Sequence, residues 1–210
     1  MTDDPHRLSD IAALEAHYGA PLTRALVKEL DHIAAPYRAF VEAAPFVVIA
    51  TAGPEGLDAS PRGDPAGFVR VTGPQSVEIP DRPGNNRLDT LRNILRDRRV
   101  ALLFLIPGIG ETFRINGRAE ITVDPELCAA HGLGGRPARA VIRVAVERCY
   151  YQCQKALVRG RLWDAEAQIA RDRLPSAGDM LAAFHAAEGT PFDGARYDAD
   201  YPERMARTLY

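Results

Sequence analysis

The sequence predicts a mainly β fold, an antiparallel barrel with helical ends, and three observations carry that expectation. Short β-branched and apolar stretches recur between residues 46 and 151, bounded by Pro/Gly corners and following one another in hairpin order. One helical pattern, near residues 86–97, interrupts them, whereas residues 1–44 and 164–210 carry helical periodicity instead. Strands in hairpin order with a single inserted helix favour a closed antiparallel barrel over a parallel βαβ sheet. No repeat or low-complexity linker divides the 210 residues, so one domain is expected. It comprises a helical N-terminal extension (1–44), a barrel (45–163) and a helical C-terminal extension (164–210).

In chain order, Ser9 is placed to cap a helix carrying Ile11 and Leu14, which Gly19-Ala20-Pro21 ends. Helical spacing continues over 23–34 and 37–43, separated by Pro36. Residues 46–51 are β-branched and apolar between Pro45 and Gly53-Pro54-Glu55-Gly56, which reads as a strand and a tight turn, with the return strand starting over 58–62. Two further strands, 68–71 and 77–79, flank Thr72-Gly73-Pro74-Gln75. Leu88, Leu91, Ile94 and Leu95 mark an amphipathic helix with Asn85 or Asn86 as its cap. Strands follow over 100–106, 112–123 and 140–151, then a helix over 176–188 and a polar end bearing Tyr197, Tyr201 and Tyr210.

Charge and composition exclude several functions. With 26 basic and 28 acidic residues the formal charge is −2, so no basic field exists for nucleic acid or an anionic membrane. Arg82 to Arg99 holds six arginines, but helical spacing scatters them around the axis as solvated surface, leaving one or two for a ligand. The three cysteines form no CxxC pair, and Cys149 and Cys153, four apart on an expected strand, share a face too far apart for a disulfide. Reduced thiols, an N-terminus with acids where a signal peptide carries Lys or Arg, and no apolar run long enough to span a bilayer together place the protein in the cytoplasm. The five histidines are scattered without an HxxxH or HExxH pair, so no metal site is expected. There is no GxSxG elbow, Walker loop or GxGxxG unit, and Gly132-Leu133-Gly134-Gly135 reads as a hinge between helix and strand.

The stretch IPDRPGNNRLDTLRN (residues 79–93) holds the densest chemistry. A strand end runs through a stiff turn into a helix start, where unpaired backbone N–H groups and a positive dipole end, with Arg82 and Arg87 beside them, suit a phosphate. The same residues equally describe a capped helix after a turn, its arginines in solvent. Around it stand Ser60-Pro61-Arg62-Gly63-Asp64, the LLFLIPG run of 102–108, Arg114-Ile115-Asn116-Gly117-Arg118-Ala119, and Cys153-Gln154-Lys155-Ala156-Leu157 with Arg159 and Leu162-Trp163. In order and spacing, over about residues 40–165, this ensemble resembles the pyridoxamine 5′-phosphate oxidase-like FMN-binding split barrels, in a subgroup apart from the vitamin B6 enzyme itself.

The resemblance implies an antiparallel split β-barrel with an FMN-binding groove, and a homodimer with the flavin at its interface. FMN needs cationic forks and N–H donors for its phosphate and apolar walls for its ring. Arg62 and Arg82, with the backbone around Gly84 and Asn85, are the phosphate and ribityl candidates, Arg62 having a cross-strand pair with Asp64 as its other reading. Ser60 and Asn93 fall where the resemblance implies contacts to the phosphate or ring edge, or else make local cap or turn bonds. Pro80 and Asp81 would pass along the isoalloxazine edge. Thr112, Arg114, Lys155, Arg159 and Trp163 would come from the second subunit, Trp163 either covering the ring or anchoring the last helix in the core. Lys155 and Arg159, at helical i,i+4 spacing, repel each other unless an anion lies between them. Arg114 or Lys155 would stabilise a reduced anionic flavin, and Gln152 stands where many relatives have a histidine, which removes an imidazole acid/base. The implied function is an FMN-binding oxidoreductase using NAD(P)H or a small organic reductant. The alternatives are a flavin-binding or redox-sensing module without turnover, and a relative binding deazaflavin or haem.

Overall fold

A computed structural model describes residues 4 and 6–209, so Asp3 of the acidic N-terminus and Tyr210 lie outside the described residues. Helices α1 (Ile11–Tyr18), α2 (Thr23–Leu26) and α3 (Ala35–Ala43) lead into strands β1 (Phe46–Gly53), β2 (Gly56–Gly63), β3 (Arg70–Gly73) and β4 (Ser76–Asp81). Helix α4 (Asp89–Arg96) follows, then β5 (Arg99–Leu105), β6 (Thr112–Thr122), α5 (Pro125–Ala130) and β7 (Ala140–Gln152). The chain continues through α6 (Lys155–Arg159), α7 (Ala177–Ala187), α8 (Gly194–Ala199) and α9 (Tyr201–Thr208). No described helix is long and apolar enough to cross a membrane.

The strands form one antiparallel sheet in the order β2-β1-β5-β6-β7-β4-β3. Their alternation is what the period-two pattern requires: Val47 and Ile49, Leu102 and Phe104, Phe113 and Ile115, Ile142 and Val144 are buried in one core, while the residues between them lie on the other face, where Val141 is buried in a separate cluster with Cys128 and Ala138. Phe113 centres this core, its ring 4.8 Å from Tyr37 and 5.9 Å from Phe104 between centroids. Helix α3 adds Tyr37 and Val41, and α4 adds Ile94. A bulge at Asn116/Gly117 bends β6 over β7, and there a Cβ on Gly117 would overlap the Ala145 carbonyl oxygen, so glycine alone fits. The sheet curls until β2, first in the order, meets the end of β4, sixth in the order, through Arg62–Asp81 at 3.5 Å and Arg82–Asp64 at 2.8 Å. This meeting of two non-adjacent strands is the seam of the split barrel.

Four local expectations are corrected. Asp10, not Ser9, caps α1, its Oδ1 accepting the Ala13 N–H at 2.8 Å, because the helix starts one residue later and the N-cap must reach its third N–H. The helix expected over 23–34 stops at Leu26, since Leu30 exchanges backbone hydrogen bonds with Cys149 and Ile33 donates to Pro74, so sheet pairing overrides helical spacing. Helix α4 begins at Asp89 after Leu88 at φ 63°, with no side-chain cap, and Asn85 instead accepts the Arg87 N–H at 3.1 Å in a turn. Finally, Cys153 lies beyond the end of β7 and is exposed, whereas Cys149 is buried within it, so the two do not share a strand face.

Candidate functional site

A groove of about 840 Å³ opens at the β2–β4 seam, closed on one side by the 82–88 loop that leads into α4. Its size is within the range of small-molecule and cofactor sites. Among the residues singled out in the sequence, Ser60, Arg62, Asp81, Arg82 and Asn85 line it.

The two arginines expected to act together are bound differently. Arg62 donates through Nη1 to Ser60 Oγ at 2.6 Å and to the Pro61 carbonyl at 2.9 Å, and its Nη2 lies 3.5 Å from Asp81 Oδ1. Its Nε is buried with no hydrogen-bond partner. A charged donor left unmet in this way costs free energy that an acceptor oxygen would recover. Arg82, in contrast, commits Nε to Asp64 Oδ2 and Nη1 to the His131 carbonyl, both at 2.8 Å. Asp64 is only 3% exposed, so Arg82 neutralises a buried carboxylate and ties β4 to β2 and to the end of α5. The Arg62–Asp64 pair does not form. Burial pushes the Asp81 carboxyl above its ordinary value, while Arg62 and then Arg139 pull it back less strongly.

Asn93 is buried and donates to Thr51 Oγ1 at 3.2 Å, with Gly53 packed so closely that a Cβ there would overlap its amide oxygen. It faces a smaller depression of about 250 Å³ that shares Asp58, Arg87 and Asp89 with the groove. Pro80 is buried in β4 and does not line the groove. Thr112, Arg114, Lys155, Arg159 and Trp163 do not line it either. Arg114 donates to Tyr150 Oη at 2.8 Å and to Gln152 Oε1 at 3.0 Å, so the glutamine at the histidine position orients a cation. Lys155 and Arg159 stand one turn apart on α6, exposed and without a carboxylate partner among the described residues. Trp163 lies outside the core, its Nε1 donating to the Ile109 carbonyl at 2.8 Å.

Of two further groove arginines, Arg87 is the one expected beside the helix start, and Arg139 escaped the sequence reading. Arg87 pairs with Asp89 at 2.8 Å, and Arg139 donates through Nη1 to Asn86 Oδ1 at 3.2 Å, closing the groove across the 82–88 loop. Arg139 arrives there because Asp81 pairs with Ala140 in the β4–β7 register, and no short motif announces that pairing.

The sequence profile of pyridoxamine 5′-phosphate oxidase matches residues 33–153. The chain belongs to that family. The match takes in every strand of the sheet and the whole groove, and leaves α1, α2 and α6–α9 outside it. The solved structures similar to this family member include HupZ of Group A Streptococcus, at 20% identity and TM-score 0.46 over 58% of this chain and 94% of that one. Another is a Lactobacillus delbrueckii protein named for pyridoxamine 5′-phosphate oxidase, at 19% identity and TM-score 0.46 over 59% and 98%. A third is an FMN-binding protein of Syntrophomonas wolfei, at 10% identity and TM-score 0.41 over 54% and 86%. No curated protein matches. The mainly β fold read from the sequence is therefore that of a pyridoxamine 5′-phosphate oxidase family protein with added helices.

Proposed function

We propose that the groove binds FMN and that the protein works as a homodimeric cytoplasmic flavoprotein oxidoreductase, taking electrons from NAD(P)H or a small organic reductant. Arg62 is the observation that carries this reading: a guanidinium at the bottom of a cofactor-sized groove, with one buried donor unmet and its carboxylate partner at 3.5 Å. Family membership and the naming of one similar structure as FMN-binding support the choice of flavin. The residues present fit the group. Arg62 would take the phosphate, with Arg87 and Arg139 as further cations at the groove's outer wall. Leu88 and Leu91 offer apolar wall, and Ser60 and Asp81 offer acceptors for ribityl hydroxyls or ring N–H.

When bound, FMN would supply the two-electron chemistry that no side chain here provides. The chain's own residues bind and orient. Arg62 neutralises an anion, Asp81 holds or releases a proton at its carboxyl, and Arg82 fixes the wall on which both stand. The cations Arg114, Lys155 and Arg159, with Trp163, are offered to the groove of a second copy, which the open side of this groove leaves room for. The free thiols of Cys128, Cys149 and Cys153 suit a reducing compartment.

The test is the purified protein itself. Denaturation should release a yellow cofactor with the mass and spectrum of FMN, and anaerobic NAD(P)H should bleach the bound flavin, with recovery in air. Protein that carries no flavin and takes up none when FMN is added would end this reading. Flavin that binds but is bleached by no reductant would leave a binding module without turnover.

A further inference from the structure

One wall of the groove is held to the rest of the protein by very little. Residues 83–88 all line the groove, yet every one of them is exposed, and a Cβ on Gly84 would meet nothing within 4 Å. Both ends of this segment are anchored. Arg82 is held by Asp64 and by the His131 carbonyl, and at the far end the Leu88 carbonyl accepts the Arg92 N–H in the first turn of α4. Between the anchors the polar contacts are local, Asn85 Oδ1 accepting from the Arg87 N–H and Arg87 pairing with Asp89, and among the described residues no backbone group of 83–87 bonds to the sheet. One hydrogen bond ties the segment to the body, from Arg139 Nη1 to Asn86 Oδ1 at 3.2 Å. Arg139 is itself fixed, because its backbone N–H donates to the Asp81 carbonyl at 3.0 Å at the start of β7.

The backbone of the segment is strained in this position. Asn86 and Leu88 both adopt left-handed φ, 59° and 63°, a region that asparagine tolerates and leucine does not. A span with fixed ends, no buried side chain, strain in its backbone and a single hydrogen bond to the body is the part of this wall that opens at least cost. Its position gives that opening a use. With the open side of the groove covered by a second copy, as proposed above, a ligand would enter and leave past this span.

We propose that residues 83–88 are a strap over the groove, latched shut by Arg139 and Asn86, and that release of this latch sets how fast a ligand enters and leaves. The identity of the ligand rests on the flavin reading above, whereas the latch belongs to the chain alone and is tested without flavin. Ala140 lines the groove beside the latch and is 6% exposed, so a thiol placed there reports opening. In a Cys153→Ser background, which removes the exposed native thiol, the protein carrying Ala140→Cys should react with N-ethylmaleimide about tenfold faster once Asn86→Gly deletes the acceptor, rates being compared per thiolate. Arg139→Ala should give the same rise, and the two substitutions together no further one, because both remove a single interaction. With FMN as the probe, Asn86→Gly in the otherwise native chain should raise the association and dissociation rate constants by the same factor in stopped-flow flavin fluorescence, leaving Kd within about twofold of wild type. Thiol rates that either substitution leaves unchanged would overturn the proposal, as would effects of the two that multiply. A rise in FMN dissociation alone would make Asn86 a ligand contact and overturn it too. A protein that takes up no FMN would end the flavin reading and leave the thiol rates to decide the strap.

Discussion

Truncating Arg82 to alanine should cost far more stability than truncating Arg62, although both arginines face the same groove. Arg82 is the cation for Asp64, which is 3% exposed, and it also satisfies the His131 carbonyl. Arg82→Ala leaves a buried carboxylate uncompensated, a defect worth about 3–5 kcal/mol, in a protein whose whole stability is about 5–15 kcal/mol. With a urea slope of about 1–3 kcal/mol/M, the unfolding midpoint should fall by roughly 1–5 M. Arg62→Ala instead removes a guanidinium whose Nε is already without a partner and whose ion pair is long, so its cost should stay near about 1 kcal/mol. Flavin binding should show the reverse order. Losing a charged hydrogen-bond donor of about 1.5–3 kcal/mol raises the Kd of Arg62→Ala for FMN by roughly 10- to 100-fold. Urea unfolding at pH 7 and flavin-fluorescence titration on both variants measure the two orders. The double variant Asp64→Asn/Arg82→Ala should recover most of the lost stability, because both members of the buried pair are then uncharged. An Arg82→Ala protein within about 1 kcal/mol of wild type, or a double variant no more stable than the single one, would show that this pair does not hold the seam.

Asp81 sets a pH-dependent expectation. Burial raises its folded-state pKa above the unfolded value, so its protonated form favours the fold and that contribution is lost as pH rises through the folded pKa. Asp81→Asn should therefore have the higher Tm at pH 7–8, with the gap closing below about pH 4, where the wild-type carboxyl is protonated in both states; a variant less stable at pH 8 contradicts this. Gly117→Ala should lower stability by about 1–3 kcal/mol or more, because its Cβ meets a backbone oxygen that cannot turn away, and a thermal melt indistinguishable from wild type would refute the bulge geometry. His131→Ala removes the buried partner of Glu78, 3.0 Å away, and should cost about 3 kcal/mol or more in urea unfolding. If Arg143, 3.6 Å from the same carboxylate, suffices by itself, the loss will be under about 1 kcal/mol.

The barrel was legible because its information is local. Residues 46–53 are a β-branched, apolar run between Pro45 and the Gly53–Gly56 turn, and residues 140–152 set Arg143 and Glu147 among β-branched side chains, so both patterns read locally as strands. Where the outcome depends on distant partners, local pattern failed. Residues 27–34 have helical spacing, yet Leu30 finds an unpaired edge at Cys149 and leaves the helix. The site divides the same way. Ser60, Arg62, Asp81, Arg82 and Asn85 sit in short motifs that the family resemblance brings together, and the fold gathers them. Arg139 needed the β4–β7 register, and the different duties of Arg62 and Arg82 needed the burial of Asp64, which no motif encodes.

The electrostatics of the groove decide which arginine an anion would recruit. Four cations, Arg62, Arg82, Arg87 and Arg139, are set against Asp58, Asp64, Asp81 and Asp89, so the region has no net field to attract a ligand from afar. What matters is how firmly each carboxylate is held. Asp64 is locked to Arg82, and Asp58 accepts from Thr90 Oγ1. Asp81, long at 3.5 Å and already pushed toward its neutral form, is the partner most easily given up, and it releases Arg62. A phosphate placed at Arg62 adds negative charge beside Asp81 and raises its pKa further, so binding should take up as much as one proton. FMN affinity should therefore fall as pH rises, and calorimetric binding enthalpy should depend on the ionisation enthalpy of the buffer. Asp81→Asn should abolish both dependences while keeping affinity at neutral pH equal to or above wild type. Binding that releases protons, or that remains buffer-dependent to the same extent in Asp81→Asn, would place the phosphate away from Arg62.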